Sequence, residues 1–267
     1  MELTFHKIDT AAQAQARAQD DARQHPADPS ERINFACRQC GGCCTNTTPY
    51  VTPLDVWRLA RALDTSTSDI ISKRLIIIET SLSGVGNMGR VPLLALKMTG
   101  RPGSLYRSHS RSSSRFKQCI FLNRETHRCI VYGSRPLSCR MFPAGLQYLA
   151  DGDKAGGARA CSNGDEGDGI EKYHFVMVKP LPECAGYGAG NNTLQQYLNG
   201  EVHDDDLDCW RQYTELMLQV FQGNDLAANE DFADSFLAAI FDLDGRDGAD
   251  LRERFEQGRN LVMSWLA

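Results

Sequence analysis

Apolar residues recur at helical spacing most cleanly in the last quarter of the chain. Leu207, Trp210, Tyr213, Leu216, Met217, Val220 and Phe221 lay one stripe along a helix over 205–222. A stripe of this kind reads as core. Similar patterning predicts helices over 193–199, 230–241 and 247–265. Val51–Leu63 is another helix. Thr52 suits its N-cap, Pro53 its first position, and Asp55 the positive end of its dipole. A further helix is predicted from Thr67, with Ser68 and Asp69 at its head, to about Glu79. The apolar run Val91–Met98 predicts a buried strand, and Tyr173–Lys179 another. Cys119–Leu122 and Cys129–Tyr132 read as short extended pieces. Arg135-Pro136 breaks the chain before a helical turn at Leu137–Met141. Residues 9–24 have almost no large apolar side chains and predict an exposed, fraying helix, followed by a linker at Pro26–Arg32. Gly84–Gly89 reads as a turn and Ala150–Gly169 as a loop.

The chain has ten cysteines, four of them within residues 37–44, a clustering that reads as metal ligation. The expected fold is mainly α with short irregular β segments: a cysteine-rich, metal-stapled core followed by a helical C-terminal region. The expected divisions are an N-terminal helix and linker at 1–34, a cysteine-cluster metal-binding domain at 35–198, and an acidic helical region at 199–267.

Charge sharpens that division. The 267 residues carry a net charge of −5. Residues 201–267 hold 16 acidic against 5 basic side chains, a net −11, which leaves +6 on the first 200. The acidic helices suit the docking of a protein partner. The acidic total argues against nucleic acid. No run of 18 apolar residues lacks a charge, so no membrane span is expected. The N-terminus shows no basic segment followed by an apolar one, so no signal peptide is expected, and the chain reads as cytoplasmic.

In a reducing compartment, clustered thiols serve as metal ligands more often than as disulfides. Export would turn the same cysteines into a disulfide framework. Of ten cysteines, four fall within eight residues: Cys37, Cys40, Cys43 and Cys44. Cys119, Cys129 and Cys139 follow at even intervals. Thiolates two residues apart can turn onto one centre. Adjacent side chains point apart, so Cys43 and Cys44 are expected to serve two centres, or one of them none.

The motifs around these cysteines resemble a known family. Phe35-x-Cys37-x-x-Cys40-Gly41-x-Cys43-Cys44 is followed by Thr52-Pro53-x-Asp55 at a helix start. Cys119-x-Phe121-Leu122 precedes Cys129-x-x-Tyr132-x-x-Arg135-Pro136-x-x-Cys139-Arg140-x-Phe142-Pro143. Cys184-Ala-Gly186-Tyr-Gly188-Ala-Gly190 forms a third block, with Ala185 where the family carries proline. This resembles the CxxCxxCC cysteine-cluster family (YkgJ-like proteins), described as zinc- or iron-chelating, over roughly residues 35–198. The resemblance singles out eight metal ligands: Cys37, Cys40, Cys43, Cys44, Cys119, Cys129, Cys139 and Cys184. Cys161 and Cys209 fall outside the motifs. Some larger relatives are linked to lysine methylation of flagellin, but no residue here carries that activity over.

Eight thiolates match two four-thiolate sites, or one site with thiols to spare. The cofactor is either an iron–sulfur cluster or Zn2+. Three functions stay open: a metal-binding protein with a redox or protein-modifying role, a zinc-stabilised interaction module, and a thiol redox sensor. Arg135 and Arg140 either offset thiolate charge or form ordinary salt bridges.

Other signals are weaker. His127 sits between two cysteines but reads as solvated. The run Asp242 to Glu253 resembles a calcium loop, yet Arg246 takes a ligand position and Asp247 replaces the glycine, so a turn and helix cap are expected. Arg101–Lys117 reads as a solvated loop rather than a phosphate site, since no aromatic platform interleaves its charges. Gly186, Gly188 and Gly190 lack the strand of a dinucleotide site. No hydrolase, zinc-protease or Walker motif is present, and no catalytic residue is assigned.

Overall fold

The computed structural model describes residues 24–45, 47–80, 91–100, 117–148, 173–178, 184–221, 229–248 and 250–266. Most of the expected N-terminal helix, the turn at 84–89, most of Arg101–Lys117 and the loop containing Cys161 lie outside these.

Helix α1 (Pro53–Ala62) begins where its cap residues direct. The Thr52 hydroxyl accepts from the Asp55 N–H at 3.2 Å, and the Asp55 carboxylate accepts from the Thr52 N–H at 2.8 Å. Helix α2 (Thr67–Arg74) is capped by Ser66. It ends at Arg74, five residues short of the expected Glu79. The run Leu75-Ile76-Ile77-Ile78 instead opens strand β2 (Leu75–Thr80). Branching at Cβ stiffens isoleucine in a helix and suits a pleated surface, and a partner strand is at hand. That partner is β3 (Val91–Leu96), antiparallel with Leu75 opposite Leu96. The expected strand at 91–98 is thus present but breaks at Lys97. It continues as β4 (Met98–Gly100), which pairs with β5 (Lys117–Cys119) and sets Met98 opposite Cys119.

Helix α3 (Leu137–Met141) is the single turn expected there. Strands β6 (Ala144–Tyr148) and β7 (Tyr173–Val178) pair antiparallel, and β1 (Gln24–Pro26) adds to the far edge of β7. Four helices follow: α4 (Leu194–Glu201), α5 (Asp204–Phe221), α6 (Glu230–Phe241) and α7 (Leu251–Leu266). The architecture is mainly α with short antiparallel strand pairs, and no described helix is long and apolar enough to cross a membrane.

Two apolar cores result. The larger joins α1, α2, β2 and β3 to α5, α6 and α7, through Leu59, Ile70, Leu94, Phe221, Phe236 and Phe241. The smaller gathers Phe35, Leu137, Met141, Phe175, Leu194 and Tyr197. The stripe on α5 serves both: Leu207 and Trp210 pack against the smaller core, while Tyr213 to Phe221 enter the larger. Cys119 belongs to the large core and Cys184 to the small one, so the cysteine segments meet where the two cores adjoin.

The calcium-like run resolves as a turn and cap. Asp244 accepts the Thr67 N–H at 2.6 Å and pairs with Arg61. Asp242 accepts the hydroxyls of Thr67 and Ser68 at 3.1 and 2.8 Å. Both carboxylates are therefore spent at the positive end of α2.

Candidate metal centre

Three segments distant in sequence build the site. The first starts at Phe35, which is 2 % exposed. Asn192 grips its backbone from both sides: the Phe35 N–H donates to Asn192 Oδ1 at 3.0 Å, and Asn192 Nδ2 donates to the Phe35 carbonyl at 2.8 Å. The chain then curls through Gln39 (φ 54°) and Gly41 (φ 74°) into a 3₁₀ turn at Gly42–Cys44. Glycine is needed at residue 41. Its backbone is left-handed, and an added Cβ would lie 3.2 Å from both the His127 carbonyl oxygen and Leu122 Cδ1.

The second segment runs from Cys119 to Cys139. A bridge between Thr45 and Gln118 sets it beside the first, and a bridge between Leu122 and Cys129 closes it into a hairpin. Asn123 Oδ1 accepts the N–H groups of Glu125 and Thr126 at the tip. Asp55 reaches across from α1 and accepts the Leu137 N–H at 2.8 Å, which fixes the start of the helix that carries Cys139. The Thr-Pro-x-Asp motif therefore starts one helix and anchors a second. Burial, the largest influence, pushes the Asp55 carboxyl up to about 6 against hydrogen bonds from Thr52 and Leu137. Asp55→Ala would leave the N–H of Leu137 and both donors of Thr52 unmatched. We expect a loss of about 3 kcal/mol in urea unfolding, combining a lost cap with buried orphan donors. A loss under about 1 kcal/mol, the scale of an exposed cap, would show that the carboxylate does not tie the two helices.

The third segment is Cys184–Gly190, laid against the first. The Ala36 N–H donates to the Gly186 carbonyl at 3.1 Å, and Phe35 bridges Tyr187. A Cβ on Gly186 would stand 2.6 Å from the Phe35 ring, so only glycine permits the contact.

All eight cysteines singled out by their motifs line one cavity: Cys37, Cys40, Cys43, Cys44, Cys119, Cys129, Cys139 and Cys184. Its space is about 730 Å³ with the mouth included. Among the described residues no Asp, Glu or His lines it, while Phe35, Phe121 and Phe142 do. The expectation that Cys43 and Cys44 diverge is not met. The 3₁₀ turn brings both thiols to the cavity, and they hydrogen-bond to one another. Among the described residues, no three His, Cys, Asp or Glu side chains already converge as the shell of one ion. The sulfurs line a wall instead, several with a local partner: Cys40 with Cys184, Cys43 with Cys44, and Cys37 with the Tyr132 hydroxyl.

Backbone amides are aimed at the sulfurs in a repeated way. The Cys40, Cys119, Cys129 and Cys184 sulfurs each accept the N–H two residues on, from Gly42, Phe121, Val131 and Gly186. Such bonds favour the thiolate. Burial opposes them. It is the largest influence on Cys119 and Cys184, each pushed up to about 11, and on Cys139, pushed well above the usual thiol range. Cys43 is raised by its bond to Cys44, by burial and by the charge of neighbouring thiolates. At Cys40 burial also raises, but the N–H groups of Gly42 and Ala185 and the Cys184 thiol outweigh it, and this exposed thiol falls below the usual range. Eight sulfurs cannot all ionise in a desolvated cavity without a cation among them. The donor set therefore fits a thiophilic metal.

The two arginines divide their duties. Arg135 Nη1 donates to Cys37 Sγ at 3.5 Å, its Nη2 pairs with Glu201 at 3.0 Å, and its guanidinium lies 3.8 Å over the Tyr132 ring. Arg135 thus offsets thiolate charge and forms a salt bridge as well. Arg140 turns away to Asp206 with two bonds of 2.6 and 2.9 Å. His127 is exposed and lies outside the lining. Cys209 also lies outside it, half-buried beside Thr52 and Leu54. Asn192 and Tyr187 belong to the site's framework without a signal in the sequence pattern. Asn192 is marked only as a polar residue beside a glycine-rich block, and Tyr187 only as an unassigned position within it.

No curated protein and no solved structure matched this chain. A family model matched residues 36–162, which takes in seven of the eight cysteines and stops short of Cys184. That model is of the CxxCxxCC domain, described as a "putative zinc- or iron-chelating domain".

Proposed function

We propose that the protein holds iron–sulfur clusters in four-thiolate centres drawn from Cys37, Cys40, Cys43, Cys44, Cys119, Cys129, Cys139 and Cys184, and uses them in a redox or protein-modifying role. One observation carries this reading: eight thiols line a single cavity. A lone zinc ion closes its shell with four. An iron–sulfur cluster also takes four, so eight suit two such centres, and the repeated N–H bonds to sulfur are the usual support of a cluster. When bound, such a centre supplies one-electron transfer. The chain's own part is to hold the sulfurs on three braced segments, to exclude water with Phe35, Phe121 and Phe142, and to offset charge with Arg135.

A second reading is a zinc-stabilised interaction module. It is favoured by the way the cysteines join segments from residues 37–44, 119–139 and 184 into one site, as a structural staple would. Its partner surface would include the acidic C-terminal helices.

Anaerobic purification followed by a visible spectrum with iron, sulfide and zinc analysis separates the two. The expected result is a brown protein absorbing near roughly 400 nm, as thiolate-ligated iron–sulfur centres do, with iron and acid-labile sulfide in stoichiometric amounts. Stoichiometric zinc without colour would establish the second reading. Protein free of metal, with Cys40 reactive toward oxidants, would overturn both in favour of a thiol sensor.

A further inference from the structure

Tyr132 and Tyr197 line the thiol cavity, and Tyr187 packs behind them on Phe35 and Phe142, two of its walls; the first two have hydroxyl partners. Tyr132 bonds to the Cys37 sulfur, and Tyr197 donates to the carbonyls of Arg140 and Phe142, each at 2.8 Å. The Tyr187 hydroxyl is closed to solvent and has no hydrogen-bond partner. Its surroundings hold it in place. The backbone bridges Phe35, and the ring meets Phe35 edge-on at 5.2 Å and Phe142 at 6.3 Å. The charges that reach its hydroxyl are those of Cys184 and Cys43. A phenol keeps its proton at neutral pH, so the hydroxyl is a donor. A buried hydroxyl without an acceptor is costly, and the cost is recovered once an acceptor arrives.

We propose that Tyr187 is a hydrogen-bond donor to the sulfur shell of the metal centre, completed only when the centre is loaded. The inference rests on the metal-thiolate reading above. Its effect is on tuning rather than on holding. A hydrogen bond to sulfur draws electron density from the metal and raises the reduction potential.

The test compares wild-type protein, Tyr187→Phe and Tyr213→Phe, all purified anaerobically with their metal, by potentiometric titration. The Tyr213 hydroxyl is also buried without a partner, but its charged neighbour is Cys209 rather than the cavity. Tyr187→Phe should favour the oxidised form by about tenfold, a fall of about 59 mV for a one-electron couple. Tyr213→Phe should leave the potential where it was. An unchanged potential in Tyr187→Phe overturns the proposal, as does an equal fall in both variants, which would mark a packing effect. Wild-type protein loaded with zinc would overturn the iron–sulfur reading alone. The donor is then read by chelator competition, where Tyr187→Phe should hold zinc about tenfold more weakly, and equal retention overturns it. Wild-type protein that takes up no metal overturns both.

Discussion

Cys37→Ser and Cys40→Ser are each expected to strip the protein of metal, while Cys209→Ser retains a full complement. Serine is close to cysteine in size, so the change tests ligation more than packing. Its hydroxyl does not ionise at neutral pH and is a hard donor where a soft metal prefers thiolate. Changes around a metal's ligands cost about 10–100-fold in affinity, and loss of a ligand should exceed that range. Cys37 and Cys40 both line the cavity, and Cys40 receives N–H groups from Gly42 and Ala185 that favour the thiolate. Cys209 bonds locally to Thr52 and Leu54 and does not line the cavity. Metal content by elemental analysis, normalised to folded protein by circular dichroism, decides the matter. Full metal in both Cys37→Ser and Cys40→Ser would refute the ligand assignment. Loss of metal in Cys209→Ser would move a ligand into the C-terminal helices.

The helices were legible because each is written in two codes at once. In α1 the cap residues and the apolar face agree, and in α5 the stripe runs unbroken over about four turns. Where the codes disagreed, the structure followed packing. The segment after Arg74 has helical composition up to its isoleucines, yet a neighbouring strand at Val91–Leu96 claims it for a sheet. No local pattern announces that partner. The candidate site was legible as a list of thiols and not as a shape. Spacing marked Cys37 to Cys44 as a cluster, but it took long-range contacts to join them to Cys184: the Asn192 grip on Phe35 and the close approach at Gly186. Arg135 and Arg140 look equivalent in sequence, flanking one motif. Only their partners, Cys37 with Glu201 for one and Asp206 for the other, tell them apart.

Asp206→Ala is expected to cost about 3–5 kcal/mol, because it strands a buried guanidinium. Asp206 is 1 % exposed despite its place in an acidic helix. It accepts two bonds from Arg140, one from Arg58 and one from the His203 N–H. Arg140 gives two further donors to the carbonyls of Arg135 and Glu201. The pair thus clamps the helix that carries Cys139 onto α5. Part of the acidity of the C-terminal region is therefore internal and unavailable to a partner. Urea unfolding should show the loss, and the double variant Arg140→Met/Asp206→Leu should recover most of it, since apolar side chains can replace a buried pair at little cost. If the double variant is no better than Asp206→Ala, the stranded-charge account is wrong and the carboxylate acts mainly on the helix start. Acid gives an independent check. Burial raises the Asp206 carboxyl, but Arg140, the His203 N–H and the charge of Arg58 outweigh it and hold it below the usual range. A carboxyl depressed by folding contributes stability above its unfolded value, near 3.9, and loses it as pH falls through the folded one. Wild-type stability should accordingly drop below about pH 4, and the part of that drop due to Asp206 should be absent from the alanine variant.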